Sequence, residues 1–326
     1  MQDPTQEEWE NLWSQANGGI YQSWMFNEAK RKSGQQSIVI SVRENGKLVG
    51  GIMAYKKIIR SPIGRKEILE AHGTPLFINE SSGKELLEQF KIEASSYFYA
   101  TIAPTVLSSS EALFSQAGYT KISNHTILLD LKKLEEELWQ SLEKKSIRWG
   151  IKTAQKNNLS ITPLKTAHEI NALYALYEHT ASIGGFKPEQ KEFLKELSSK
   201  GISQIFGIYN GKNIVAGALV FLDKNNKIAT LSLTTASDEG LKLQAMPFLY
   251  WNILLYAKKE GFSYFDLGGY DPDSRPSEKI NNINKFKERF GGAITEQSVF
   301  STNSTYPLLR KALQKVRFIR HLYKKD

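Results

Sequence analysis

The sequence contains no cysteine, and this absence removes a whole class of chemistry. Without thiols there are no disulfides, no thiolate metal ligands and no cysteine nucleophile. The chain has five histidines, none at a metal-ligand spacing, and no serine in a Gly-x-Ser-x-Gly motif. We therefore expect neither a metal site nor a covalent intermediate. A chain without cysteine is also typical of a reducing compartment.

Long apolar runs are missing as well. No stretch reaches the roughly 18 consecutive apolar residues that a membrane-spanning helix needs, so no such helix is expected. The first residues, Met1–Glu8, are acidic and polar and lack the basic start and apolar core of a secretory signal. Hydrophobic residues make up 40% of the chain and charged residues 24%, which is ordinary for a soluble globular protein. The expected location is therefore the cytoplasm.

Acidic residues are scarce at the C-terminus. The formal net charge of the chain is +9, and segment 306–326 contains seven lysines or arginines against one acid. The apolar residues of this segment, from Leu309 to Tyr323, fall on one helical face. This pattern predicts a basic amphipathic helix over residues 305–326, which either lies on an anionic membrane or docks on the body of the protein. The first alternative implies a peripheral contact with the inner face of the cell membrane.

Two segments of the sequence are alike. Residues 37–52 and 205–219 each consist of two β-rich runs separated by Asn-Gly, at Asn45-Gly46 and at Asn210-Gly211. Asn-Gly is typical of a type I′ hairpin turn, because both central residues of that turn need a positive φ. In both copies a lysine follows the turn. Two similar hairpins about 165 residues apart predict two related domains.

The order of the predicted elements also repeats. Each hairpin is followed by a strand, a helix, a second strand, a helix that contains phenylalanine and ends at glycine, and a last strand. The two last strands are predicted at His125–Leu131 and Ala293–Phe300. We therefore predict α/β halves with mixed sheets, divided into domains 1–131 and 132–304 and followed by the helix over 305–326.

A family resemblance lies in four segments that occur in order along nearly the whole chain. Tyr264–Gly269, followed by Phe286-Lys287 and Phe290-Gly291, resembles the C-terminal signature of the Fem family, the non-ribosomal aminoacyltransferases that build peptidoglycan bridges. Gln22-Ser23-Trp24 with Lys30 is similar to the first helix of that family. Leu138–Lys156 is similar to the opening of its second domain, and Ala245–Gly261 to the helix that precedes the glycine-pair strand.

The resemblance implies a fold, a reaction and partners. The fold would be two tandem N-acetyltransferase-like (GNAT) domains, and no heptad run indicates the coiled-coil arm of some members. The reaction would be aminolysis of aminoacyl-tRNA by an amine of a UDP-linked or lipid-linked muropeptide, without a cofactor. One departure concerns the loop Ala181–Lys187, where members often carry arginine and this chain has Lys187 as its only cation.

Two residues are predicted to be catalytic. Aminolysis needs a group that stabilises the oxyanion of the tetrahedral intermediate, and the resemblance places Lys287 in that role. Asp266 follows two aromatic residues at a strand end and could orient the amine or a nearby cation. The alternatives are that Lys287 is a surface residue of an amphipathic helix and that Asp266 is a turn or helix-capping residue.

Further residues are predicted to bind substrate. Lys144, Arg148, Lys152 and Lys156 recur every four residues and form a helical stripe that either contacts phosphates or is a solvated face. Trp149 beside the stripe either stacks on a base or packs in the interface. The remaining candidates are Lys30, a cation of the first domain, and Tyr250, an aromatic residue that could equally belong to the core. Gly268 and Gly269 would leave room for the substrate beside the backbone, and Phe286 is the neighbour of Lys287.

Two other functions stay open. An acyl-CoA-dependent N-acyltransferase, with acetyl-CoA as donor, would hold pyrophosphate in a glycine-rich loop at a helix start. The corresponding stretch, Asp238–Ala245, lacks the required glycine pair, which disfavours this function. A non-catalytic, membrane-associated binding protein would suit the basic C-terminal segment and the missing loop arginine.

Overall fold

The structure is a computed structural model of the 326-residue chain and describes residues 3–61, 64–108, 110–272, 278–306 and 308. The helices are α1 (Gln6–Gln15), α2 (Trp24–Lys32), α3 (Glu80–Ala94), α4 (Glu111–Gln116), α5 (Glu135–Ser141), α6 (Trp149–Lys156), α7 (Ala167–Gly184), α8 (Lys191–Ser199), α9 (Asp238–Lys242), α10 (Ala245–Lys259) and α11 (Glu278–Glu288). The strands are β1 (Ser37–Glu44), β2 (Lys47–Ser61), β3 (Gly64–His72), β4 (Leu76–Phe77), β5 (Ala100–Ala103), β6 (Thr120–Asp130), β7 (Ser160–Pro163), β8 (Ser203–Asn210), β9 (Asn213–Asp223), β10 (Ile228–Ala236), β11 (Tyr264–Tyr270) and β12 (Ala293–Ser301).

The chain divides into two compact units. The first consists of the chain up to Asn124 together with the chain from Glu296 onward, and the second of His125–Thr295. Among the described residues no helix is both long and apolar enough to cross a membrane. The predicted domain limits, 1–131 and 132–304, follow chain order instead and stay a prediction. The helix predicted over 305–326 lies almost entirely outside the described residues.

The sheet of the first unit has the strand order β1-β2-β3-β5-β12, with β4 beside β2. Strands β1, β2 and β3 are antiparallel, whereas β3 and β5 are parallel and are connected through α3. A capping box at Asn79 begins α3, and its Leu86, Leu87 and Phe90 are buried in the core of the unit. A Cβ placed on Gly51 would come within 2.6 Å of the Trp9 ring, so only glycine lets α1 pack this closely.

The second unit repeats this plan in the order β6-β11-β10-β9-β8-β7. Strands β8, β9 and β10 are antiparallel, whereas β10 and β11 are parallel and are connected through α10. Helix α10 is apolar on most of its surface because it is buried in the core of this unit. The internal repeat and the α/β class with mixed sheets are therefore confirmed.

The two hairpins differ in their turns. Asn45 and Gly46 both have a positive φ, 49° and 81°, as a type I′ turn requires. In the second hairpin the strands pair up to Asn210↔Asn213, so the central residues are Gly211 and Lys212. Only Gly211 has a positive φ there, 57°, which is the pattern of a type II′ turn. The hairpin at Asn210 was predicted correctly, but its turn lies one residue further along.

The repeat predicts that the last strand of each half pairs within the sheet of its own half, but the structure pairs these two strands differently. Phe300 and Ser301 of β12 pair with Ile102 and Thr101 of β5, so the C-terminal strand completes the sheet of the first unit. In the second unit β6, which precedes the rest of that unit in sequence, pairs with β11. Hydrophobic periodicity identifies a strand but carries no information about its partner, and the exchange was therefore not predictable from the repeat.

The role of β12 in the first unit can be tested at Phe300. Its ring is buried and stacks on Phe114 at a centroid distance of 4.1 Å and an interplanar angle of 6°. We expect Phe300→Ala to lower the free energy of unfolding by about 3–5 kcal/mol, because a large buried side chain is lost. Urea denaturation checks this. Ile294→Ala, at an exposed position of the same strand, is the control and should change little; equal effects would contradict the assignment.

Candidate active site

A groove of about 810 Å³ opens in the second unit where two parallel strands separate. Strands β10 and β11 pair only from Ile228↔Tyr264 to Thr230↔Asp266. Beyond this point Leu231–Thr234 and Leu267–Gly269 form opposite walls, and Leu241 of α9, the start of α10 and one face of α11 complete the lining. Most of the exposed wall surface is apolar, as is usual for a small-molecule site, and the charged side chains of the lining, Glu278, Lys279 and Lys287, all belong to α11.

A β-bulge shapes one wall of the groove. Strand β11 pairs with β6 at Asp266↔Leu128 and again at Gly269↔Thr126, so two residues of β11 are accommodated where β6 has one. Gly268 lies in this bulge with φ +75°, a conformation that glycine adopts without strain. The bulge turns the carbonyl groups of Gly268 and Gly269 toward α11, where both accept hydrogen bonds.

The donor of these hydrogen bonds is Lys287, which lines the groove from α11. Its Nζ lies 3.0 Å from the carbonyl oxygen of Gly268 and 2.8 Å from that of Gly269. Two of the three N–H donors of an ammonium group are thereby engaged, and no contact within the described part of the chain engages the third. Burial lowers the pKa of Lys287, while the carboxylate of Asp266 acts in the opposite direction.

Asp266 lies beneath the bulge and is not part of the groove lining. Its Oδ1 accepts a hydrogen bond from the Gly268 backbone N–H at 2.8 Å and another from the Thr126 hydroxyl. Burial raises the pKa of this carboxyl, although the two hydrogen bonds and the charge of Lys287 oppose the shift. The carboxylate thus fastens the bulge and is a counter-charge for the lysine that the bulge holds.

An aromatic cluster lies next to Lys287, and two of its rings, those of Tyr250 and Phe286, line the groove. The rings of Tyr250, Phe286 and Phe290 pack edge-on or tilted, with centroid distances of 5.2–5.3 Å. Tyr250 is buried, and burial raises its pKa to about 12, with a hydrogen bond to Thr234 acting against the shift. Its hydroxyl therefore stays neutral at physiological pH, so this aromatic cluster carries no charge.

The structure gathers six of the nine predicted site residues around one groove. Gly268, Gly269 and three side chains of the lining are among them, and Asp266 lies directly behind the wall. These three side chains are Tyr250, Phe286 and Lys287.

The other three predicted residues lie elsewhere. Arg148 and Lys152 are outside the lining; Arg148 donates to Gln140 at 2.9 Å, and Lys152 is exposed. Lys30 belongs to α2 of the first unit, with its Nζ 5.9 Å from the centre of the Phe26 ring. The regular stripe from Lys144 to Lys156 is interrupted, because Lys144–Arg148 is a π-helical turn that precedes α6.

Two residues of the site were missed by the sequence analysis. Thr126 supports Asp266 from β6, 140 positions away in the chain, and Thr234 contacts Tyr250 from β10. A threonine in a strand is ordinary, and only the pairing of β6 with β11 shows where its hydroxyl points. No sequence signal singles out either residue.

The stretch expected to cradle pyrophosphate in a CoA-dependent enzyme is folded differently. Asp238–Lys242 forms the short helix α9, whose start is capped by Ser237 and carries Asp238 and Glu239. These carboxylates would repel a pyrophosphate. Gly240 serves packing, because a Cβ there would lie 2.3 Å from the carbonyl oxygen of Val215. At the start of α10, Pro247 removes one of the N–H groups that could bind an anion.

Comparisons with known proteins support the same fold. Residues 143–276 match the model of an acetyltransferase (GNAT) domain. None of the curated proteins matches the sequence. The crystal structure of FemX is similar with a TM-score of 0.70 and 15% sequence identity, covering 95% of this chain and 98% of FemX.

Two further structures are similar over almost their whole length. The C-terminal domain of a proposed lysylphosphatidylglycerol synthetase from Agrobacterium fabrum has a TM-score of 0.65 and 15% identity, covering 95% of this chain and 94% of that chain. L-PGS from Bacillus licheniformis has the same TM-score and identity, covering 98% of each chain. The fold is that of FemX, two tandem GNAT domains, and the resemblance inferred from the sequence is confirmed at the level of the fold.

The bulge can be tested with a pair of glycine substitutions. Gly268→Ala places a side chain at φ +75° and 3.1 Å from the Leu231 carbonyl oxygen. We expect a loss of about 1–2 kcal/mol in the free energy of unfolding, because a non-glycine residue is strained in this conformation. In the control, Gly269→Ala, a Cβ meets nothing within 4 Å, and urea denaturation should show little change. A tolerated Gly268→Ala would refute the geometry.

The raised pKa of Asp266 predicts a pH dependence of stability. Above its ordinary pKa of about 3.9, the folded state keeps a proton that the unfolded state has released, so the free energy of unfolding falls as pH rises through this window. In Asp266→Asn this contribution is absent. The stability of the wild type relative to the variant should therefore decrease from about pH 4 upward, measured by urea denaturation at a series of pH values. Parallel pH profiles of stability for the wild type and Asp266→Asn would contradict the raised pKa of Asp266. Asp3→Asn, at an exposed position, is the control.

Proposed function

We propose that the protein transfers an aminoacyl group from aminoacyl-tRNA to an amine of a peptidoglycan precursor in the cytoplasm. The observation that carries the proposal is the ammonium of Lys287, fixed at the wall of the groove with one N–H directed to no protein group of the described chain. The Fem-like fold supports the class of reaction, and the position of the groove between two separating strands supports its location.

The reaction needs positioning and one electrostatic contribution. The attacking amine forms a C–N bond with the ester carbonyl carbon, the C–O bond to the ribose breaks, and the proton lost by the amine ends on the ribose oxygen. Negative charge develops on the carbonyl oxygen in between. The remaining N–H of Lys287 is the donor for that oxygen, and its partly dry surroundings strengthen the interaction.

We assign Asp266 a positioning role. It touches the bulge and the Thr126 hydroxyl, and it acts on Lys287 through its charge. Tyr250, Phe286 and the glycine pair shape the space next to the reacting carbonyl. Glu278 and Lys279 of α11 also line the groove, and both are exposed. In this proposal the proton passes between the two substrates, from the attacking amine to the ribose oxygen.

The chemical identity of the acceptor is the part of the proposal that experiment has to decide. FemX and the lysylphosphatidylglycerol synthetases share this fold, and the name of the synthetases contains a lipid, phosphatidylglycerol, as the acceptor. A UDP-linked muropeptide, a lipid-linked muropeptide and phosphatidylglycerol are therefore the acceptors to be compared, each with a panel of charged tRNAs. Acetyl-CoA belongs in the same assay, although the acidic start of α9 argues against it.

Transfer of a labelled amino acid from charged tRNA to these acceptors tests the function. We expect Lys287→Ala to lower the rate by about 100- to 1000-fold, because the donor to the oxyanion is removed. Lys285→Ala changes an exposed lysine of the same helix and is the matched control. Thermal unfolding of both variants shows whether folding is intact.

Three outcomes would change the assignment. Transfer from acetyl-CoA alone would establish the CoA-dependent alternative. The absence of turnover with every donor, together with vesicle binding, would favour the non-catalytic binding protein. A loss of activity in Lys287→Ala that merely follows a loss of folded protein would make Lys287 structural.

A further inference from the structure

Trp149 is an exposed aromatic residue in a basic surface of the second unit. It follows the π-helical turn Lys144–Arg148 as the first residue of α6, and 53% of its surface is accessible. A tryptophan that only supported the core would be buried, as Trp251 is. Trp149 is therefore not part of a core, and the exposed part of its indole ring is available to a ligand.

The surroundings of Trp149 are strongly cationic. Between Lys144 and Lys156 the chain has five lysines or arginines and no acid. Lys145 and Lys152 are exposed on either side of the tryptophan in sequence. The nearest acid in sequence, Glu143, is engaged by Arg289 at 3.1 Å and by the Ser146 hydroxyl. We name Lys145, Arg148, Trp149 and Lys152 the α6 surface.

The α6 surface adjoins the groove. Gly150, the residue after Trp149, packs against the start of α10: a Cβ placed on it would lie 2.9 Å from Pro247 and 3.2 Å from Gln244. Both Pro247 and Gln244 line the groove. The helix that carries Trp149 and Lys152 thus packs directly on the helix whose start lines the groove.

We propose that the α6 surface binds the single-stranded 3′ end of the RNA that carries the acyl group. The inference rests on the proposed function, which supplies an RNA-linked donor. An aromatic ring among cations is the combination that binds single-stranded nucleic acid: bases stack on the ring, and lysines contact phosphates. Trp149 stacks on a base near the 3′ end, and Lys145 and Lys152 hold the phosphates, so that the terminal ester enters the groove.

Binding can be measured without chemistry. The probe is a fluorescein-labelled RNA hairpin with a short single-stranded 3′ end and no amino acid, followed by fluorescence anisotropy. We expect Trp149→Ala to weaken binding about tenfold or more and Trp149→Phe to retain part of the affinity. Leu134→Ala, an exposed apolar residue of the same unit, should leave binding unchanged. A blunt-ended hairpin should bind less tightly than the probe.

The phosphate contacts have a salt signature. Lys152→Ala should lower the slope of log K against log salt by about 0.7, the value for one contact with a single strand. Lys212→Ala, which changes an exposed lysine at a hairpin turn, is the control and should keep the full slope. Equal slopes for wild type and Lys152→Ala would overturn the phosphate contact.

The remaining outcomes separate this proposal from the enzymatic one. RNA binding that depends on Trp149, with no transfer from any charged tRNA, would refute the proposed function and keep the RNA site. Transfer with an unchanged KM for tRNA in a folded Trp149→Ala variant would refute the RNA site and keep the function. Loss of binding to anionic vesicles, but not to RNA, in Trp149→Ala would make the α6 surface a membrane contact and overturn the inference.

Discussion

The ammonium group of Lys287, held by the carbonyl oxygens of Gly268 and Gly269, is the interaction on which the site depends. A cation taken partly out of water loses hydration, and protein groups must replace it. Two backbone carbonyls do so here, and the nearby Asp266 carboxylate supplies the opposite charge. Removing the carbonyl groups or the carboxylate would leave the ammonium group without compensation, and removing Lys287 would leave the buried carboxylate without its counter-charge.

This arrangement in turn depends on the strand pairing. The carbonyl oxygens face Lys287 because β11 bulges against β6, and the bulge is fastened by Asp266 through the Gly268 N–H. Asp266 is itself supported by Thr126 from β6. The strand opposite the bulge thus supplies the hydroxyl that stabilises it. A site built in this way on strands and a packed helix keeps its geometry better than one built on loops.

Much of the fold and part of the site could be predicted from sequence, for identifiable reasons. The hairpin at Asn45-Gly46 follows from local turn chemistry, and Gly268 with Lys287 from a pattern that resembles a known family. Such signals are local or linear. Thr126 and the exchange of the last strands depend on pairing between distant segments, which no local pattern specifies. Trp149 shows the same limit, because the sequence leaves base stacking and packing as alternatives, and only the folded structure shows that the residue is 53% exposed.

The size of the groove bears on how a large donor would be used. A space of about 810 Å³ accommodates a small-molecule ligand, but not a folded RNA. For an RNA-linked donor, the acyl group and its immediate attachment enter while the rest stays outside, and most of the binding energy then comes from contacts remote from the reacting carbon. Such remote binding energy accelerates the reaction when it holds the ester in the orientation for attack. The packing of Gly150 against Gln244 and Pro247 meets this requirement, because it joins α6 to the start of α10, which lines the same groove as Lys287.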